Sequence, residues 1–182
     1  MTVAWAPIRL TRDCTATTIP FGLQVSLNAD GEVMVVQQLG TSITVRTEQG
    51  SLLRIDGADA DALGIEIGAT PDVGTRDGPF DMSHVTEALD GVYDPEIPVS
   101  IVDLGLVYRC DEIQQPDGTR RIEIDMSMTA PGCGMGDVLR DDATRAVAAV
   151  PGVDDVEVTL VWDPPWSMHR MSEAVRLQLG LL

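Results

Sequence analysis

Residues 69–80, Ala-Thr-Pro-Asp-Val-Gly-Thr-Arg-Asp-Gly-Pro-Phe, do not easily form a helix or a strand. Proline fixes φ and withholds a donor, while glycine and aspartate favour turns. The segment reads as a linker, and it divides the chain into two regions of different pattern. Residues 1–68 show short alternating runs, Gly22 to Leu27, Glu32 to Leu39, Ser42 to Thr47 and Ser51 to Ile55. Turn signals separate them: Asn28-Ala29-Asp30-Gly31, Gly40 and Glu48-Gln49-Gly50. Alternation with such breaks predicts a small antiparallel β-domain, a meander or barrel.

Residues 81–182 mix element types. Ser83 is placed to cap a short helix with Val85, Ala88 and Leu89 inward and Gly91 at its end. Asp94-Pro95-Glu96-Ile97-Pro98 is a stiff connector. Leu104, Leu106, Tyr108 and Cys110 share one face of a strand, Asp117-Gly118 turns the chain, and Ile122, Ile124, Met126 and Met128 line the core face of the returning strand. A helix from about Asp137 to Val150 turns Val138, Leu139, Ala143, Ala146, Val147 and Val150 inward. After Pro151-Gly152, a third strand points Val156, Val158, Leu160 and Trp162 inward, and a last helix carries Met168, Met171, Val175 and Leu179 on one side. The order is α-β-β-α-β-α. A right-handed crossover would set the third strand parallel to the second, giving a small α/β sandwich.

Charge removes several function classes. The chain holds 29 acidic residues against 12 basic ones, a net −17, and every basic residue is arginine. Without lysine there is no Schiff-base chemistry and no phosphate-cradling lysine of a P-loop. An acidic chain repels phosphate backbones and anionic bilayers, so neither nucleic acid nor a membrane is expected as a direct partner. No apolar run reaches membrane-spanning length, and the N-terminus lacks a basic region before its short apolar stretch, so a cytoplasmic location is expected. Three widely spaced cysteines do not make a disulfide framework.

Thr129-Ala-Pro-Gly-Cys-Gly-Met-Gly136 is the segment that could carry chemistry. A strand ends, a glycine-rich turn follows, and a helix begins. Unpaired N–H groups and the helix dipole at such a start favour thiolate, so a lowered pKa is expected for Cys133. Gly132 and Gly134 clear the approach to its sulfur, Pro131 stiffens the turn, and Thr129 opens the supporting loop. The alternative is that Cys133 only fills a tight turn. Cys110 and Cys14 read as structural.

One sulfur is not a metal site, because clusters and structural zinc each take about four ligands. No Cys-x-x-Cys is present, and His84 and His169 read as surface residues. No stable metal site is therefore expected in the monomer. Asp94 and Glu96 could pair their carboxylates, or could cap the proline-rich turn; Asp103 could cap the strand entry or support the thiol loop. Asp56, Asp59 and Asp61 do not fit an EF-hand spacing and read as a solvated turn.

Three stretches together carry a resemblance: Asp94-Pro-Glu-Ile-Pro-Val-Ser-Ile-Val-Asp-Leu-Gly-Leu-Val-Tyr108, Met128-Thr-Ala-Pro-Gly-Cys-Gly-Met135 and Asp163-Pro-Pro-Trp166. They are similar to the PaaD-like family of iron–sulfur assembly proteins. The ending from Met171, together with Ile19-Pro-Phe-Gly22 and Gly57-Ala-Asp-Ala-Asp-Ala-Leu-Gly64, resembles the long bacterial form of that family. The resemblance implies an accessory, non-enzymatic role in maturing iron–sulfur proteins, with Cys133 as the functional thiol. It implies SUF assembly proteins and apo iron–sulfur clients as partners. The cargo would be a transient iron–sulfur cluster or iron, shared between chains or with external thiols, and a homodimer would suit such sharing. Asp94, Glu96 and Pro98 match the family motif without a settled role; Cys14 and Cys110 match none. Two other readings compete: a metal-free adaptor between the assembly scaffold and clients, and a thiol redox enzyme using Cys133, which would want a base or a resolving cysteine that the sequence does not place.

Overall fold

A computed structural model describes residues 7–66, 80–130 and 134–181. The architecture is mixed α and β, and the chain falls into two compact units, Met1–Pro71 and Asp72–Leu182. The expected linker at 69–80 lies outside the described residues except for Phe80.

The first unit is one antiparallel sheet. Its strands are β1 (Ile8–Arg9), β2 (Cys14–Thr18), β3 (Gln24–Leu27), β4 (Glu32–Leu39), β5 (Ser42–Thr47) and β6 (Leu52–Asp56), in the spatial order β1-β4-β5-β6-β2-β3. Period-2 side-chain alternation aims Val33, Val35, Ile43, Val45, Leu53, Ile55 and Ala16 at one core. The β2 strand was not expected, because its threonines hide the alternation. Residues Gly22 and Leu23, expected to start a strand, instead close a turn in which Gly22 N–H donates to Thr18 O at 2.8 Å.

The acidic stretch after β6 is not a solvated turn. Gly57–Leu63 forms a 3₁₀ helix whose Ala60, Ala62 and Leu63 are buried in that core. Asp56 caps it by accepting from Ala58 N–H at 3.0 Å. Arg12 ties it down through ion pairs with Asp59 and Asp61.

In the second unit the elements are α1 (Met82–Asp90), β7 (Val107–Gln114), β8 (Arg120–Met126), α2 (Gly136–Ala148), β9 (Asp155–Leu160) and α3 (Glu173–Gln178). Asp81, not Ser83, caps α1: its carboxylate accepts from Ser83 N–H at 2.8 Å, since the aspartate sits one residue before the first helical position. The sheet order is β7-β8-β9, with β7 antiparallel and β9 parallel to β8. Crossing helix α2 packs on β9 and α1. Ile122, Ile124 and Met126 are fully buried beneath it all, while the opposite sheet face is charged: Arg109 pairs with Asp125, Asp111 and Glu123, and Arg121 with Asp155 and Glu157.

Several faces differ from expectation. Leu104 and Leu106 are buried, yet they precede the strand, because a turn over Ile101–Gly105 delays β7 to Val107. Val156, Val158 and Leu160 are only half-buried, and Trp162 is exposed, since β9 is an edge strand covered by one helix. The last helix is broken into a 3₁₀ turn, Met168–Arg170, and the short α3; Met171 and Val175 are buried, but Met168 and Leu179 are exposed. Among the described residues no helix is long and apolar enough to cross a membrane.

Candidate functional site

Strand directions gather the conspicuous motifs at one end of the three-stranded sheet. There β7 begins while the parallel strands β8 and β9 end, and loops beyond carboxyl strand ends are where α/β folds keep binding sites. Ser127 N–H donates to Leu106 O and Val161 N–H to Met126 O, each at 2.8 Å, so all three strands continue one step past their regular ends.

The cysteine loop leaves from this end. Its two anchors, Met128 and Met135, are both essentially inaccessible to solvent. Helix α2 starts at once after the second anchor, and Gly136 lets it come close: a Cβ there would lie 3.2 Å from Leu160 Cδ1 and 3.7 Å from Met128 Cγ. Between the anchors, Thr129 is half-buried, and Ala130 and Gly134 are exposed. Pro131, Gly132 and Cys133 lie outside the described residues. The N-cap residue of α2, Met135, makes no side-chain capping bond.

The second motif does mostly backbone work. Asp94 is buried; one of its carboxylate oxygens accepts from Glu96 N–H at 2.8 Å and from Ile97 N–H at 2.9 Å. Burial pushes its carboxyl above the ordinary range, and those two N–H groups pull the other way. Asp94 therefore shapes the turn, and the exposed Glu96 supplies an N–H rather than a carboxylate partner. Ser100, also buried, bridges by donating its hydroxyl to Asp90 at 2.6 Å and accepting from Asp103 N–H at 3.1 Å. The Asp103 side chain is exposed, while its carbonyl accepts from Ser172 N–H at 2.9 Å.

Sequence reasoning missed the clamp between this motif and the one after β9. Trp166 Nε1 donates to Leu104 O at 2.8 Å, and Arg170 Nε to Gly105 O at 3.2 Å. The Arg170 guanidinium stacks 3.6 Å from the Tyr108 ring centroid. Gly105 has φ +66, and a Cβ on it would fall 2.2 Å from Arg170 O, so only glycine fits. Two signals pointed here: a glycine between leucines, and a tryptophan whose N–H needs an acceptor once covered.

The remaining candidates do not assemble. Burial raises the thiol pKa of both Cys14 and Cys110, with Asp59 adding to the first and Asp111 to the second. Cys14 belongs to the first unit's core, and Cys110 is half-buried on β7. His84 is half-buried on α1 and His169 exposed in the 3₁₀ turn. Among the described residues no group of three or more His, Cys, Asp or Glu side chains could hold a metal ion.

Residues 83–160 match the family model described as "Iron-sulfur cluster assembly protein". The chain is 40% identical over 98 residues to the "Fe-S protein maturation auxiliary factor YitW" of Bacillus subtilis (strain 168), covering 54% of this chain and 92% of that protein. It is 38% identical over 90 residues to the "Fe-S protein maturation auxiliary factor SufT" of Staphylococcus aureus (strain USA300), covering 50% of this chain and 98% of that protein. An "Iron-sulfur cluster carrier protein" of Mycobacterium bovis (strain ATCC BAA-935 / AF2122/97) is 40% identical over 87 residues, which cover 48% of this chain and 22% of that protein.

Proposed function

The chain belongs to the iron–sulfur cluster assembly protein family, and on that premise we propose that it is an accessory factor of iron–sulfur protein maturation, working through the thiolate of Cys133. It helps assemble or deliver clusters to apo-proteins and turns over no substrate of its own. The relatives' names, auxiliary factors and a carrier, support this division of labour.

One observation carries the reading. Cys14 and Cys110 are held in packed surroundings that raise their pKa, whereas Cys133 falls by sequence in the glycine-rich loop between two buried methionine anchors. A soft ligand without resident partners suits passing cargo, since a complete four-ligand site would retain its cluster. The missing ligands come from a second chain or from external thiols such as glutathione. Gly132 and Gly134 clear the approach to the sulfur, Pro131 stiffens it and Thr129 belongs to the supporting loop, while Asp94, Glu96 and Asp103 support the neighbouring turn. The first 68 residues form a separate β-domain, and residues 81–182 are the assembly domain. Its setting is the cytoplasmic SUF system, with apo iron–sulfur proteins as clients.

The test is iron and acid-labile sulfide per chain after anaerobic reconstitution, for wild type and Cys133→Ser, with and without glutathione. Bound iron and sulfide that vanish in the variant are expected. Equal binding by both proteins overturns the role of Cys133. Binding by neither, together with full maturation of client enzymes in cells carrying only Cys133→Ser, replaces it with the metal-free adaptor.

A further inference from the structure

Tryptophan occurs twice on the connection after β9, and the structure treats the copies differently. Trp166 is half-buried and its indole N–H is bonded to Leu104 O. Trp162 is 46% exposed. The strand's alternation places Trp162 on the same face as Leu160, which meets Gly136, the first residue of α2. Trp162 therefore extends past the start of the helix that covers the rest of that face. Met168, further along the same connection, is 52% exposed.

We propose that Trp162, with Met168, is the apolar anchor of a docking surface beside the cysteine loop, and that its occupant is a polypeptide segment pairing basic groups with an apolar side chain. This rests on the accessory-factor reading and names the partner chemistry for that site. An exposed tryptophan at a functional edge is the residue type that dominates interface energetics. The charge around it selects the partner's sign. Asp163 is adjacent and exposed, and the Trp166–Leu104 bond brings the exposed Asp103 into the same segment's reach.

The cations nearby are held in place, Arg140 by carboxylates and Arg170 by neutral partners. Arg170 lies over Tyr108 and bonds Gly105 O, and Arg140 pairs with Asp137 and Asp141. His169 is the remaining basic side chain of the segment. A partner bearing arginine or lysine is attracted, and an acidic one is repelled.

The experiment uses the full chain and two labelled synthetic peptides, one alternating arginine and leucine, the other with glutamate in place of arginine, followed by fluorescence anisotropy. The arginine peptide is expected to bind and the glutamate peptide not. Trp162→Ala weakens binding about tenfold or more, Trp162→Phe keeps most of it, and Met168→Ser gives a smaller loss. Ile113→Ala, at the opposite end of β7, changes nothing. Cys133→Ser binds as wild type does, so the docking surface and the thiol role fail separately. The proposal is overturned by absence of saturable binding, by equal binding of the glutamate peptide, by unchanged affinity in Trp162→Ala, or by equal losses in Trp162→Ala and Ile113→Ala.

Discussion

Gly64 in the first unit and Gly105 in the second share one backbone angle, φ +66, and almost nothing else. Gly64 ends a 3₁₀ helix with open space where a Cβ would go; Gly105 is pressed against the Arg170 carbonyl. The contrast extends to the buried polar residues. Among the described residues of the first unit these are Thr44 and Arg54, both on strands of the sheet. In the second, Asp94 and Ser100 lie in the connection before β7 and Ser127 just past β8, next to the cysteine loop. The first unit's constraint is thus regular and local, while the second's is irregular and sits where three connections meet.

The glycine pair is the strongest way to break this comparison. Gly64→Ala meets only the left-handed backbone penalty, about 1 kcal/mol. Gly105→Ala adds a collision with main chain that cannot move without releasing Trp166 and Arg170, and should lose about 3 kcal/mol or more. Urea unfolding of both variants beside wild type decides it. Equal losses would mean that the clamp yields freely and that the second unit is no more constrained at this point than the first.

A smaller effect sharpens the same point. Trp166→Phe keeps an aromatic ring, though a smaller one, and leaves Leu104 O without its 2.8 Å donor. About 1 kcal/mol of stability or more should go, the net worth of one hydrogen bond plus the apolar area that the smaller ring gives up. Iron and sulfide loading of the variant gives a second readout, because the clamp borders the segment that meets β8 through Leu106 and Ser127. A Phe variant with unchanged stability would show that the carbonyl finds another partner and that Trp166 acts by packing alone.

What the sequence made legible follows from the range of the interactions. Strands β4, β5 and β8 could be read because Val33 and Val35, Ile43 and Val45, and Ile122, Ile124 and Met126 alternate within a few residues. The β2 strand, Cys-Thr-Ala-Thr-Thr, presents only small or weakly apolar core residues and was invisible to the same rule. Trp162 continued a valid alternation, yet the helix that should have covered it starts level with Leu160. The strand before Cys133 and the helix after it were legible from their apolar spacing, while residues 131–133 lie outside the described residues. The clamp was not, since Gly105 and Arg170 are far apart in sequence: the glycine between leucines and the tryptophan N–H mark constrained positions but not the residues they meet.

The smallest effect distinguishes the units by the sign of their pH dependence. Burial raises the carboxyl pKa of Asp94, against the pull of the Ile97 and Glu96 N–H groups. A folded-state pKa above the unfolded one means that the native chain holds this proton more tightly. Its contribution is complete below the unfolded value of about 3.9 and is lost as pH rises through the raised folded value. Asp61 in the first unit is the reverse: hydrogen bonding to Arg12 lowers its pKa. Its contribution is present above the unfolded value and is lost as pH falls through the lowered folded one. Asp94→Asn retains an oxygen that can accept both N–H bonds but cannot ionise. Its stability should match wild type most closely in acid and gain on it as pH rises through the Asp94 titration. Arg12→Gln should fall behind wild type above the Asp61 titration and converge with it in acid. Urea midpoints measured for both variants across that pH range read the two signs directly, and the same sign in both would mean that burial does not govern Asp94.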